Sequence, residues 1–256
     1  MDIHQAEAEF NLFLESVDFA KKDFLAGKIL SPEKITKISN LINIRLEKNI
    51  PIQYLLGYAY FMGEKFFVTE DVLIPRPETE LLVQKVIEFK GKTVLDIGTG
   101  SGCIAIMIKK LSEKEVTACD ISKKALEIAV KNAKNLHAEV NFIESNLFEN
   151  ISGKFDIIVS NPPYIPMKTM FELQKEVIGH EPHLALFAED EEGVEFYKKI
   201  IEKAPLYLNK GGYLCFEIGI NQSDSIIKML AGSGFNDIIC IKDLNKIERI
   251  VTAKFI

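Results

Sequence analysis

Val94-Leu95-Asp96-Ile97-Gly98-Thr99-Gly100-Ser101-Gly102 decides how this chain is read. An apolar run passes directly into a glycine-rich turn, and an apolar stretch of helical character opens at about Cys103. Glycines let the backbone take left-handed angles and approach a ligand closely, so strand, glycine turn and helix in that order form a nucleotide cradle. The spacing is G-x-G-x-G, whereas a dinucleotide turn reads G-x-G-x-x-G and seats a pyrophosphate on the helix N-terminus. Asp96 stands two positions before the turn, where a carboxylate could meet a cationic amino-acid group or a sulfonium. Asp120 closes the next apolar run, eighteen residues after Gly102. An acid there accepts ribose hydroxyl hydrogens, in nicotinamide and S-adenosylmethionine sites alike. The turn by itself leaves that choice open.

Outward from this turn the chain alternates strand and helix. Strands are expected at Thr93–Ile97, Glu115–Asp120, Val140–Glu144, Phe155–Ser160, Gly212–Ile218, Asp237–Ile241 and Arg249–Phe255. Helices follow from Cys103, over Ser122–Leu136 and near Ser223–Leu230. Such alternation implies crossovers and a mostly parallel sheet with helices on both faces. The last two strands have only a short connection, which suits an antiparallel edge.

The fourth strand carries the more informative signal. Phe155–Ser160 delivers Asn161-Pro162-Pro163-Tyr164 to the carboxyl edge of the sheet, where ligands bind in such folds. Two prolines fix the backbone and remove two N–H donors, so the main chain offers acceptors only. Asn161 adds a side-chain carbonyl and Tyr164 an aromatic face, a set that suits a planar group bearing an –NH2. An amide nitrogen is a poor nucleophile because its lone pair is delocalised. Accepting both N–H bonds, at Asn161 and the Pro162 carbonyl, pushes electron density onto that nitrogen and aims it. Transfer then draws on orientation and electrostatics, with neither a metal nor a covalent nucleophile.

The first fifty residues read as helices. Phe10, Phe13, Leu14, Val17 and Leu25 fall at helical spacing and Gly27 suits a C-terminal cap. Ser31-Pro32-Glu33 reads as N-cap, first-turn proline and dipole-complementing acid, ahead of an apolar face at Ile35, Ile38, Leu41, Ile42 and Leu46. Short aromatic runs broken by Gly57 and Gly63 then suggest a β-hairpin linker. The expected division is a helical recognition domain at 1–53, a hairpin linker at 54–75 and a nucleotide-fold domain at 76–256. A further helix is expected over Glu78–Phe89; Arg76, Glu78, Thr79 and Glu80 there fit either a pocket wall or a helix start. Residues 165–190 make a long connection, of the kind that closes over substrates.

Composition narrows the classes. The chain has 256 residues, 47% hydrophobic, with a net charge of −6, no tryptophan and four dispersed cysteines. No apolar run reaches the ~20 residues of a membrane span, and the N-terminus lacks a secretory pattern, so a cytoplasmic location is expected. No CxxC pair or metal-ligand cluster is present, and His180 and His183 are separated by Glu181-Pro182. The acidic balance, and a nearly neutral first fifty residues, disfavour direct nucleic-acid binding.

Asp96 to Gly102 with Asn161 to Tyr164 resembles class I methyltransferases that act on exocyclic or amide nitrogens. Pro51-Ile-Gln-Tyr-Leu-Leu-Gly57 and Val72-Leu-Ile-Pro-Arg-Pro-Glu-Thr-Glu80 are similar to the HemK/PrmC glutamine methyltransferases in particular. Glu181-Pro182, Ala185-Leu186, Glu217-Ile-Gly219, Gln222 and Arg249 extend the resemblance almost to the end of the chain. The resemblance implies a Rossmann-like, seven-stranded methyltransferase fold that uses S-adenosylmethionine. It also implies methylation of the glutamine in the Gly-Gly-Gln motif of class 1 peptide release factors. Cofactor binding then falls to Asp96, Gly98, Thr99, Gly100, Ser101, Gly102, Asp120, Asn146, Leu147 and Asn161. Asn161, Pro162, Pro163 and Tyr164 bind the glutamine, with Asn161, Pro162 and Tyr164 catalytic. A ribosomal-protein glutamine, or an adenine N6 or guanine N2 amine, is the alternative acceptor.

Overall fold

A computed structural model describes residues 3–256, with side chains from residue 6. The chain folds as two units: Met1–Gly57 with Gln174–His180, and Tyr58–Leu173 with Glu181–Ile256.

In the first unit α1 (Ile3–Glu15), α2 (Lys21–Leu25), α3 (Pro32–Lys48) and α4 (Ile52–Leu56) follow one another. Ser31 caps α3 as its sequence suggests, its hydroxyl accepting from the Lys34 N–H at 3.4 Å. Gly27 follows α2 at φ 76°, a left-handed angle that suits a glycine. Phe13, Leu14, Val17, Ile38 and Ile52 form the core, with Phe10, Leu41 and Ile42 packed around it. Leu25, Ile35 and Leu46, expected on the same apolar faces, are exposed instead. Four helices, two of them of only five residues, do not cover every apolar position of these stripes. The returning segment 174–180 is held electrostatically: the guanidinium of Arg45, on α3, bonds Glu9 at 3.1 Å and also Glu176. His180 reaches the Lys48 carbonyl at 3.0 Å.

The second unit opens with the expected hairpin, β1 (Tyr58–Phe61) and β2 (Glu64–Phe67), paired antiparallel. It is no linker in its packing. Phe61 and Phe66 are fully buried, edge to face at 6.0 Å, within the core that includes Leu82, Val83 and Ile104. The chain continues through α5 (Thr79–Glu88), β3 (Thr93–Ile97), α6 (Cys103–Leu111), β4 (Glu115–Asp120), α7 (Lys123–Asn135), β5 (Val140–Glu144) and β6 (Phe155–Ser160). After β6 come β7 (Ile165–Pro166), a 3-10 turn (Met167–Glu172), α8 (Lys175–His180), α9 (His183–Leu186) and β8 (Phe187–Ala188). The unit ends with α10 (Glu195–Tyr207), β9 (Leu208–Glu217), α11 (Ser223–Gly232), β10 (Phe235–Lys242) and β11 (Glu248–Phe255).

Seven strands form one sheet in the order β10-β11-β9-β6-β3-β4-β5. All neighbours from β9 to β5 pair in parallel. β3 and β6 are buried on both faces, as parallel strands between helical layers must be. The last two strands form the expected antiparallel edge: β11 pairs antiparallel with both β9 and β10. The chain turns tightly after β10, so β11 returns between it and β9 and leaves β10 outermost. Strand order reverses about β3, which places the switch point of the sheet at the carboxyl ends of β3, β4 and β6.

The long 165–190 connection is not a plain loop. Its ends pair as β7 and β8, Ile165 opposite Phe187, and its middle, Gln174–His180, belongs to the first unit. No described helix is long and apolar enough to cross a membrane.

Candidate active site

The β3 turn is built for proximity. Gly98, Gly100 and Gly102 adopt φ of 75°, 55° and 82°. A Cβ on Gly98 or Gly100 would meet no protein atom within 4 Å and would stand in the cavity these residues line. Gly102 serves packing: its Cβ would lie 2.9 Å from Ile106 and 3.1 Å from Ala129, where α6 meets α7. The Gly98 and Thr99 N–H groups both donate to the Cys119 carbonyl, so the turn is pinned to β4 by its own backbone.

A cavity of about 320 Å3 opens above the carboxyl ends of β3, β4 and β6. Of the residues expected at a cofactor, Gly98, Gly100, Asp120, Asn146, Leu147 and Asn161 line it, joined by Pro162 and Pro163. Asp96, Thr99, Ser101 and Gly102 do not. Asp96 is 0% exposed, takes the Thr99 hydroxyl at 2.6 Å and leaves its other oxygen without a partner. Burial pushes its carboxyl up to about 7 against the lowering effect of Thr99. Strand alternation turns Asp96 into the helical layer, so it supports the turn from beneath.

Asp120 ends β4 with its carboxylate committed on both sides. One oxygen accepts from the Gly100 N–H and the other from the Ser122 N–H, each at 2.8 Å. Burial raises its pKa, with both N–H bonds opposing that rise. These bonds fix the carboxylate plane, and each oxygen keeps a lone pair for a ligand in the cavity. Asn146 donates to Glu149 at 2.9 Å, which leaves its carbonyl as the open end. Leu147 lines the cavity at φ 51°, an angle a branched aliphatic residue seldom takes.

The β6 end is fixed differently. The Ser160 hydroxyl donates to the Ile97 carbonyl at 2.7 Å and ties the tips of β6 and β3 together. Asn161 donates through Nδ2 to the Thr79 hydroxyl at 3.3 Å. Gln222 holds the far side: its Nε2 donates to the carbonyls of Tyr164, Glu192 and Gly193, while its Oε1 accepts from the Gly219 N–H. A Cβ on Gly193 would lie 2.1 Å from the Tyr164 carbonyl oxygen, so only glycine permits this approach. Tyr164 does not offer its ring to the cavity as its sequence position suggests. It packs into the core beside Gly219, and burial pushes its hydroxyl up to about 12.

The Pro-Arg-Pro-Glu-Thr-Glu stretch resolves into separate jobs, none on the cavity wall. Arg76 pairs with Glu181 at 2.5 Å, Glu80 accepts from the Met62 N–H at 2.7 Å, and Thr79 opens α5. Several lining residues escape sequence reasoning. Ile121, 51% exposed beside Asp120, is an apolar residue where a solvent-facing turn would favour a polar one, which is a usable signal. Phe196 and Ile200 lie four apart on α10, and helical spacing cannot separate pocket wall from core. No group of three metal-ligating side chains occurs among the described residues.

Comparison with known proteins gives the family and the fold. The methyltransferase small domain family model matches residues 77–184. The release factor glutamine methyltransferase of Bacteroides thetaiotaomicron is 44% identical over 239 residues, covering 90% of this chain and 86% of the relative. That of Flavobacterium psychrophilum is 40% identical over 269 residues, covering 99% and 93%. A solved methyltransferase from Pyrococcus furiosus, 20% identical, shares the fold at a TM-score of 0.61 over 83% of this chain and 96% of its own. The chain belongs to the release factor glutamine methyltransferases, S-adenosylmethionine-dependent enzymes that methylate a protein glutamine.

Proposed function

We propose that this chain methylates the side-chain nitrogen of the glutamine in the Gly-Gly-Gln loop of class 1 release factors. The observation that carries the reading is the shared cavity: Asp120 and the glycine turn stand at one side, and Asn161-Pro162-Pro163 at the other. The donor set fits the cofactor, with a buried carboxylate of fixed plane for ribose hydroxyls and backbone at Gly98 and Gly100 open to close approach. Ile121 and Leu147 supply apolar contact for the adenine. S-adenosylmethionine, when bound, supplies an electrophilic methyl group on a sulfonium.

The chain's own residues then prepare the nucleophile. With its Nδ2 held by Thr79, Asn161 turns Oδ1 to the cavity as an acceptor. The Pro162 carbonyl is the second acceptor, and neither proline can offer a competing N–H. Accepting both hydrogens of the glutamine –NH2 localises its lone pair and directs it along the line of transfer. The Ser160 bond to Ile97 keeps this acceptor pair in register with the glycine turn.

The first unit serves recognition, in this reading. A glutamine side chain flanked by glycines offers little to grip, so discrimination comes from remote contacts. Leu25, Ile29 and Leu46, 74%, 90% and 65% exposed, supply apolar surface for a folded protein partner.

The test is mass spectrometry of a purified class 1 release factor after incubation with the enzyme and labelled S-adenosylmethionine. One added methyl on the Gly-Gly-Gln glutamine is expected. Label confined to a ribosomal protein or to nucleic acid would transfer the assignment to that acceptor.

A further inference from the structure

Asn161 works in this scheme only if its amide is the right way round. A glutamine –NH2 offers two donors, so Asn161 must present oxygen. An amide turned by 180° has nearly the same shape and would set donor against donor. Something in the protein has to choose between the two.

Two buried residues behind Asn161 meet that need. Thr79 is 3% exposed and its hydroxyl accepts from Asn161 Nδ2. Glu217, 2% exposed, ends β9, the strand beside β6. Ser160 pairs with Phe216, so Asn161 and Glu217 occupy the next position of the same ladder. Oε2 of Glu217 is buried without a hydrogen-bond partner. Burial pushes this carboxyl up to about 7, and Thr79 and Asn161 are the two neutral side chains that draw it back down; Glu78, Arg249 and Tyr164 also face it. Neither Thr79 nor Glu217 lines the cavity.

We propose that Thr79 and Glu217 are positioning residues, which together hold the Asn161 amide with its –NH2 turned inward and its carbonyl turned to the substrate. A threonine hydroxyl can donate or accept, so by itself it would tolerate either orientation. Above about pH 7, where the measurements below are made, Glu217 is ionised and only accepts. Placed behind Thr79, it draws the hydroxyl hydrogen towards itself and leaves the Thr79 lone pairs for the Asn161 –NH2. A turned amide would bring a carbonyl oxygen towards a carboxylate with no hydrogen between them.

The proposal rests on Asn161 accepting from the substrate amide, and the experiment separates the two ideas. Asn161→Ala, Thr79→Val, Thr79→Ser and Glu217→Gln are compared in the full-length protein. Turnover and KM are measured on a purified release factor, cofactor Kd by titration calorimetry and folding by melting. Thr79→Val is expected to lower kcat at least tenfold with cofactor Kd within about twofold, and Thr79→Ser to restore kcat to within a few-fold. Glu217→Gln introduces a donor that can hold the turned amide, and is expected to lower kcat about tenfold with cofactor binding intact. Near-normal kcat in Glu217→Gln overturns the proposal even if Thr79→Val fails to fold, and so does equal loss in folded Thr79→Ser and Thr79→Val. An active Asn161→Ala would instead remove the reading on which it rests.

Discussion

Two neighbouring strand ends do different work with different materials. β3 and β6 pair in parallel, and their last residues lie opposite each other, Ile97 beside Ser160. After Ile97 the chain turns on glycines at positive φ and meets the cavity as bare backbone. After Ser160 it turns on two prolines and is braced by side chains from elsewhere: Thr79 from α5 and Gln222 from the start of α11. The glycine turn is held close to home, by the Cys119 carbonyl and the Asp120 carboxylate at the end of the very next strand. The Asn-Pro-Pro-Tyr turn depends on residues about 60 to 80 positions away, which suits the role proposed for Asn161.

The largest expected effect separates the two ends by role. Asn161→Ala is expected to lower turnover roughly a hundredfold, the scale seen when one preorganised polar contact is lost, with cofactor affinity within a few-fold. A joint loss of both would mean that the β6 end serves the cofactor as much as the substrate.

Asp120→Ala should do the reverse. Two charge-assisted bonds to ribose hydroxyls, each worth about 1.5–3 kcal/mol, make at least a tenfold loss of cofactor affinity the expectation. Unchanged titration calorimetry would place the ribose elsewhere. Because Asp120 also holds the Gly100 and Ser122 N–H groups, a melting curve belongs beside the titration.

Single alanines sharpen the contrast between local and distant support. Both Gly100 and Gly193 sit at positive φ, which costs about 1–2 kcal/mol for a residue with a Cβ. At Gly100 nothing else is in the way, so Gly100→Ala should melt a few degrees lower and bind cofactor less well. At Gly193 the new Cβ also strikes the Tyr164 carbonyl. Gly193→Ala should therefore melt lower still and lose turnover more than cofactor binding. Equal melting losses would show that the Tyr164 backbone yields easily.

The smallest effect is a pH dependence beneath the glycine turn. Asp96 titrates near 7 in the folded chain, against about 4 when unfolded. The folded state then holds more protons between those values, so this group subtracts stability as pH rises from about 4 to 7. Asp96→Asn keeps an acceptor for Thr99 and cannot titrate. Its melting temperature relative to the parent protein should rise across that window and level off above it. A difference that stays flat with pH would mean that Asp96 does not carry this burden.

Much of this was readable before any coordinates. Val94–Gly102 predicts a strand, a turn and a helix because glycine spacing and apolar patterning are local properties, and all seven strands lie where the pattern puts them within a few residues. The same locality explains the misses. Alternation along β3 could not say that Asp96 is fully buried on Thr99 and does not line the cavity. Aromatic chemistry suggested a stacking surface at Tyr164, but Gly219 and Gln222 draw that residue into the core.

Residue type and order alone determined the parallel sheet, the glycine turn, Asp120 at the tip of the second strand of that sheet and an acceptor-only turn after the fourth. Each follows from backbone restrictions or hydrogen-bonding capacity that a few adjacent residues carry with them. Tertiary structure alone decided that the 58–67 hairpin is core, that 174–180 belongs with the N-terminal helices, that Thr79 and Glu217 stand beside Asn161, and that Gln222 holds the Tyr164 carbonyl. Those facts depend on which distant segments share a neighbourhood, and closing a chain over 60 to 140 residues leaves no mark in local spacing.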